Sequence, residues 1–344
     1  MKKFKCLCII YIAVVFGLTV TLPGFAQNKL PVPVIFETDM GNDVDDALAL
    51  AMLFRYADQG QIELLGVSNN KQSLTSLQFI DLMGRQYGYA KMSIATVTKG
   101  VQGEDESKSF AKKVMDYKEN GRRIYSSKIS KYSEVESSVQ FYRRVLAKAK
   151  DSSVVVISVG FSTNLAALME SKADKYSKLN GKELVRQKVR FLSTMAGNFS
   201  NPRQKEFNII SDLSAARHVF SSWPTVIYVS PFEVGASVLF PASAIESNLG
   251  YHREHHPLVR AYKAYIPMPY NRETWDLSSV LFAVEKSAGY FKESRPGKFI
   301  VDDDGYTQFK MEKGGSHYFL HTPSTGEIDL VKARFVELVM AVKP

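Results

Sequence analysis

Residues 34–53, VIFETDMGNDVDDALALAML, set Glu37, Asp39, Asp43, Asp45 and Asp46 within ten residues. Carboxylates this close repel one another, and a cation is the common way to offset the repulsion. A helix start needs only one Asp to cap it, so capping plus solvated loop carboxylates accounts for the stretch less well than a metal site does. All-oxygen donors with flexible geometry favour Ca²⁺, with Mg²⁺ the second choice, over zinc. An EF-hand loop is excluded: counted from Asp39, the ligand at loop position 3 falls on Gly41 and the closing Glu at position 12 on Leu50. The D-x-D pattern of phosphotransferring aspartate enzymes also fails, because its nucleophile would be residue 37, which is Glu.

The elements that must position these acids follow from the apolar pattern. Short apolar runs at 32–37, 63–68, 153–158, 188–194 and 225–229 read as strands, and amphipathic stretches at 46–57, 73–88, 135–150, 163–170 and 212–221 read as helices. The alternation predicts an α/β fold with an open, mainly parallel (mixed) central sheet flanked by helices. Residues 235–266 and 275–287 carry helical patterns with prolines. Residues 298–321, with turn signals at Asp304-Gly305 and Gly314-Gly315, read as a small C-terminal antiparallel addition, followed by a last helix at 325–342. Glu37 and Asp39 then end the first strand, while Asp45 and Asp46 begin the first helix. Ligands of open α/β sheets bind at that carboxyl end.

The first 26 residues run from three lysines through an apolar stretch to Gly24-Phe25-Ala26, the layout of a signal peptide cleaved after Ala26. Residues 6–22 are nearly long enough to span a bilayer, but the small-residue cleavage pattern favours removal. The expectation is an exported protein, periplasmic or extracellular, with no stable membrane association after cleavage and a single catalytic domain over 27–344. Cys6 and Cys8 both lie in the leader, so the mature chain has no thiol or disulfide chemistry. Without Lys2, Lys3 and Lys5 the formal charge falls from +9 to +6. The basic residues are scattered, which argues against nucleic acid as a partner. No G-x-G-x-x-G or G-K-[ST] loop is present, so no nucleotide cofactor is expected.

Four segments in order resemble the nucleoside hydrolase family, the inosine-uridine preferring type. They are ETDMGNDVDDALAL at 37–50, ISVGFSTNLAAL at 157–168, MAGNFSNPRQKEFNIISDLSAA at 195–216 and TWDLSSVL at 274–281. The resemblance implies that Asp39, Asp46 and Asp276 bind Ca²⁺ by side chain and Val159 by its carbonyl. Asp45 would hold ribose hydroxyls, and Asn198, Glu206 and Asn208 the sugar's hydroxyl edge. Asn70 would contact the ribose, with Asn69 an equal candidate. The implied activity is hydrolysis of ribonucleosides to ribose and free base. Carboxylates near the ring stabilise an oxocarbenium-like state, and calcium orients the diol and lowers the pKa of the attacking water, whose proton Asp39 accepts as general base. Family members form dimers or tetramers, so a homo-oligomer is implied here.

The chain departs from the family pattern in three places. Asn42, Asp43 and Val44 stand between Gly41 and the Asp pair where one residue is usual, so the loop bulges by two and Asp43, as extra, is expected first to face solvent, with a place beside the metal's ligands or a cap on the helix as the alternatives. Glu37 replaces the signature's first Asp. Trp275 stands where several purine-active members carry a His that protonates the departing base; it can stack on a base or pack in the core. In YHREHHP at 251–257, His252 and His256 are four apart, but Glu254 is one residue off the H-E-x-x-H pattern, and an exposed polar helix is expected. Tyr228, Phe232, Tyr265 and Tyr270 are open between base pocket and core. Two alternatives stay open: a hydrolase of another riboside or small glycoside, and a non-catalytic calcium-dependent sugar-binding protein.

Overall fold

Val34, Ile35 and Phe36 leave the first strand no polar face. In the computed structural model this strand, β1 (Val32–Thr38), is buried from Val34 onward. The structure describes residues 30–101, 106–200, 202–250 and 254–340. The leader read at 1–26 and residues 251–253, with His252, lie outside the described residues. The strands after β1 are β2 (Ile62–Asn69), β3 (Ile94–Thr96), β4 (Lys118–Glu119), β5 (Arg122–Arg123), β6 (Glu136–Ser137), β7 (Val154–Ser158), β8 (Val189–Met195) and β9 (Val226–Ser230). They are followed by β10 (Leu239–Phe240), β11 (Arg272–Glu273), β12 (Gly297–Val301), β13 (Thr307–Met311) and β14 (His317–Phe319). Ten of them form one sheet in the order β13-β12-β14-β9-β8-β7-β1-β2-β3-β6.

The five expected strands coincide with β1, β2, β7, β8 and β9 to within one residue at each end. All pair in parallel, as buried apolar strands joined by helices do. Side chains alternate between two cores: Val34, Phe36, Val155 and Ile157 enter one, while Ile35, Val154 and Val156 enter the other. The expected C-terminal antiparallel addition is the pair β12 and β13. It joins the main sheet through β14, which pairs antiparallel with β12 and parallel with β9.

The stretch 235–266, read as helical patterns with prolines, is a series of short elements. Pro241 and Pro257 divide it into Phe232–Ser237, strand β10, a turn of helix at Ala242–Ala244, a π-helical turn at Ile245–Gly250 and the helix Pro257–Tyr265, because proline lacks the N–H that a helix interior needs. His256 is not on an exposed helix. It is buried and caps the last of these segments, with Nδ1 accepting the Leu258 N–H at 3.2 Å. The short pair β10 and β11 brings Arg272 beside this region.

The helix Asp45–Asp58 is apolar all round from Ala47 to Phe54 and fully buried there, as expected of a central helix. The helices Trp275–Glu285 and Thr325–Met340 pack on it. Between β1 and this helix the chain turns at Gly41, whose φ of +110° suits glycine alone. A Cβ there would also meet Ser109 Oγ at 2.7 Å. Gly41→Ala is expected to cost at least about 1–3 kcal/mol, read as a lower urea midpoint.

Candidate functional site

The first turns of two helices meet at the carboxyl end of the sheet. Asp45 and Asp46 open Asp45–Asp58, and Asp276 is the second residue of Trp275–Glu285. Their carboxylates lie within 4.8 Å of one another, and the residues are only 1%, 1% and 5% exposed. The Asp276 N–H donates to Asp45 Oδ2 at 3.1 Å, and the Thr38 hydroxyl, at the end of β1, donates to Asp46. Burial holds all three carboxyls well above the ordinary range. The next cause is Asp43 for Asp45, Asp39 for Asp46 and Asp45 for Asp276. The sequence assigned Asp45 to ribose; the structure places it among the clustered acids as well.

Asp39 lies beside this trio. Its Oδ2 accepts from Asn42 Nδ2 at 2.6 Å, and Asn42 Oδ1 in turn accepts from the fully buried Lys71 Nζ at 2.6 Å. Burial raises the Asp39 carboxyl to about 6, with the Lys71 charge and the Asn42 bond opposing the rise. Lys71 also pairs with Glu106 at 3.8 Å. Gly160, just past β7, allows a close approach: a Cβ there would lie 2.8 Å from Asp39 Oδ1 and 2.7 Å from Asn70 Oδ1. Asn70 Oδ1 is buried with no hydrogen-bond partner, while Asn70 Nδ2 donates to Glu37 Oε2 at 2.9 Å. Asn69 Oδ1 is likewise buried with no hydrogen-bond partner, and its Nδ2 donates to the Lys71 carbonyl at 2.6 Å.

Glu37 is fully buried and also accepts from Tyr142 Oη at 2.6 Å and Asn164 Nδ2 at 3.1 Å. Burial raises it to about 7 against these bonds. Its longer side chain therefore keeps a carboxylate beneath the site, holding Asn70.

Asp39, Asp45, Asn198, Glu206, Asn208 and Trp275 line one cavity of about 360 Å³. Glu206 caps the short helix Phe207–Ser211, accepting backbone N–H groups from Gly197, Asn208 and Ile209 at 2.7–3.2 Å. Burial still raises it to about 7. Asn208 Nδ2 donates to the Val159 carbonyl at 3.0 Å, placing that carbonyl at the same end of β7. Asn198 Oδ1 takes the Ser200 N–H at 2.9 Å. A larger cleft of about 740 Å³ runs along Arg217, His218 and Lys298, but none of the clustered acids lines it.

Asp43 does not point to solvent. Arg272 grips it through Nε at 2.9 Å and through Nη2, and Tyr265 Oη lies 3.3 Å from Asp43 Oδ2. The Asp45 N–H approaches Asp43 Oδ1 at 3.4 Å, a long contact where Val44 offers the helix no cap. Phe232 and Tyr265 line the cavity. Tyr228 packs against Phe191, Phe282 and Tyr318, and Tyr270 stacks on Tyr262. Asn42, Lys71 and Arg272 are the site residues that sequence reasoning missed. Lys71 stands next to the Asn pair in SNNKQS, but nothing in its neighbourhood marks it as buried.

The raised carboxyls tie stability to pH. A group whose folded pKa exceeds its unfolded value binds more protons when folded, so stability falls as pH rises between the two values. For Glu37, Glu206 and Asp39 that window runs from the ordinary carboxylate range to about 7, about 7 and about 6 respectively. Metal-free protein is expected to show a higher urea midpoint at pH 5 than at pH 8.

The family model for inosine-uridine preferring nucleoside hydrolase matches residues 34–307. Among solved structures, a purine-preferring ribonucleoside hydrolase from Gardnerella vaginalis aligns at 16% identity and TM-score 0.67, over 90% of this chain and 99% of that one. An inosine-uridine preferring nucleoside hydrolase from Bacillus anthracis aligns at 17% and 0.64, over 89% and 99%. The type III effector protein XopQ, solved with adenosine diphosphate ribose, aligns at 13% and 0.66, over 91% and 94%. At these identities the likeness is one of fold. No curated protein matches the sequence at a significant level. The family match runs through the acidic loop, the Glu206–Asn208 segment and Asp276, and on that match the chain belongs to the inosine-uridine preferring nucleoside hydrolase family, glycosyl hydrolases that act on nucleosides.

Proposed function

We propose that this protein is a calcium-dependent hydrolase of ribonucleosides in which Asp39 is the general base. The observation that carries the reading is the convergence of Asp45, Asp46 and Asp276 under a cavity lined by Asp39, Asn198, Glu206 and Asn208. The donors fit a hard divalent cation: they are all oxygen, buried and mutually repelling, with no imidazole or thiolate among them. Asp39, Asp46 and Asp276, with the Val159 carbonyl and with Asp45 of the same cluster, would hold the ion. When bound it offsets the buried charge, orients the sugar diol and acidifies the water.

The protein's own groups divide the remaining work. Asp39 accepts the proton of the attacking water, and the Asn42 bond to Oδ2 leaves Oδ1 for that task. Glu206, Asn198 and Asn208 meet the sugar hydroxyls. Asn70 Oδ1, a buried acceptor without a partner, takes another. The buried carboxylates favour the positive charge that builds on the ribose ring as the bond to the base stretches. Trp275, whose Nε1–H is held by the Phe232 carbonyl at 3.0 Å, forms part of the wall against which the base packs.

Asp39→Asn is expected to lower kcat on uridine or inosine by about 10²–10⁴-fold with little change in KM; full retention of rate removes Asp39 from the role. Chelation by EDTA is expected to abolish turnover, with CaCl₂ restoring it. Ca²⁺ at a hundred times its Kd should add about 2.7 kcal/mol of stability. The leader makes scavenging outside the cytoplasm the expected setting. Intact mass of the exported protein should then show Gln27 as the first residue, and an uncleaved chain retained in the cytoplasm contradicts this.

A further inference from the structure

The cavity has two chemically different sides. One carries Asp39, Asp45, Glu206 and the asparagines. The other is built by Phe232, Tyr265, Arg272 and Trp275; Trp275 stands where purine-active relatives carry a His, and the Tyr265 hydroxyl is turned to Asp43 Oδ2 at 3.3 Å. What this side presents is a fixed guanidinium. Arg272 Cζ lies 4.9 Å from the Tyr265 ring centroid and 4.9 Å from that of Trp275. Asp43 takes its Nε and Nη2 edge, and Glu273 Oε2 takes Nη1 at 2.9 Å. A guanidinium has five N–H donors, so one N–H on each terminal nitrogen has no acceptor among the described residues. The side chain is only 15% exposed and lines the cavity.

We propose that Arg272, seated by Asp43, Tyr265 and Trp275, is a catalytic residue on the leaving-group side that binds the departing group as an anion. The favoured substrates are then ribosides whose leaving group spreads charge onto an oxygen, as oxo-substituted bases do. The inference rests on the hydrolase reading above. As the C1′–N bond breaks, its electron pair passes to the ring nitrogen and is delocalised onto the carbonyl oxygen, where the two free N–H groups donate. Water forms the new C1′–O bond and gives its proton to Asp39. The released base anion takes a proton from solvent and Asp39 returns its own, so the balance is riboside plus water to ribose plus base. Arginine holds its proton throughout; it stabilises charge by hydrogen bonding, which is strongest to an ionised acceptor.

The test compares two leaving groups on calcium-loaded full-length protein: uridine, and 4-nitrophenyl β-D-ribofuranoside, whose phenolate departs unaided. Arg272→Gln is expected to lower kcat on uridine by about 10²–10³-fold, the loss seen when one oxyanion donor is removed. The nitrophenyl riboside should lose less than about a tenth as much, on the same scale. Arg272→Lys keeps the charge but not the planar fork, and should show the same contrast in milder form; it decides the matter if Arg272→Gln fails to fold. Equal losses on both substrates, with the wild type active on both, overturn the role of Arg272 and leave the hydrolase reading intact. A wild type inactive on every riboside overturns that reading and this inference with it.

Discussion

Three carboxylates buried within 4.8 Å of one another are the constraint around which the rest of this site is arranged. Such a cluster is unfavourable on its own, since burial and mutual repulsion both oppose ionisation. The fold offsets it in two ways that need no cation. Asp45 and Asp46 occupy the first turn of one helix and Asp276 that of another, so the positive ends of two helix dipoles face the same point. The Thr38 hydroxyl and the Asp276 N–H then donate directly to Asp46 and Asp45. Both helices are apolar and buried along their length, which fixes the angle at which their ends meet. The sheet, the central helix and the acids are therefore one arrangement: shifting Asp45–Asp58 by a residue would take the acids out of register with Asp276.

The two-residue bulge extends the same logic outward. Asn42 links Asp39 to Lys71, the one lysine buried to 0% among the described residues. Asp43 links the loop to Arg272, 229 positions away in sequence. Each inserted polar residue thus connects an acid-rich loop to a cation. Aspartate in a loop is usually solvated, and that expectation fails for Asp43 because the aromatic rings of Tyr265 and Trp275 shield the pair from one side.

Strand positions, the parallel sheet and the helix starts were readable because apolar runs and their spacing decide them locally. The acidic loop was readable because so many carboxylates in ten residues have few structural explanations, whereas Glu206, Asn208 and Asp276 came only from the family resemblance of their segments. What escaped was set by distant partners. Arg272 in NRETWD looks like any surface arginine until β10 pairs with β11 and swings it against Asp43. Lys71 owes its burial to elements on both sides of it. That Asn70 and not Asn69 brings its oxygen to Gly160 is a matter of register that composition does not carry. The stretch 235–266 read as helical patterns with prolines, and helical segments lie there, but the short strand β10 between them forms only through its pairing with β11.

Replacing a protonating histidine by tryptophan changes the chemical problem more than it changes the shape of the cavity. A general acid can deliver a proton to a poor leaving group, but only near its own pKa. A guanidinium seated on rings delivers none, yet it holds its donors in place at any physiological pH. The exchange widens the pH range over which the leaving-group side is competent and narrows the leaving groups to those that tolerate negative charge. Asp43 is what makes the exchange workable. It fixes the fork by two contacts and leaves one N–H on each terminal nitrogen without an acceptor among the described residues.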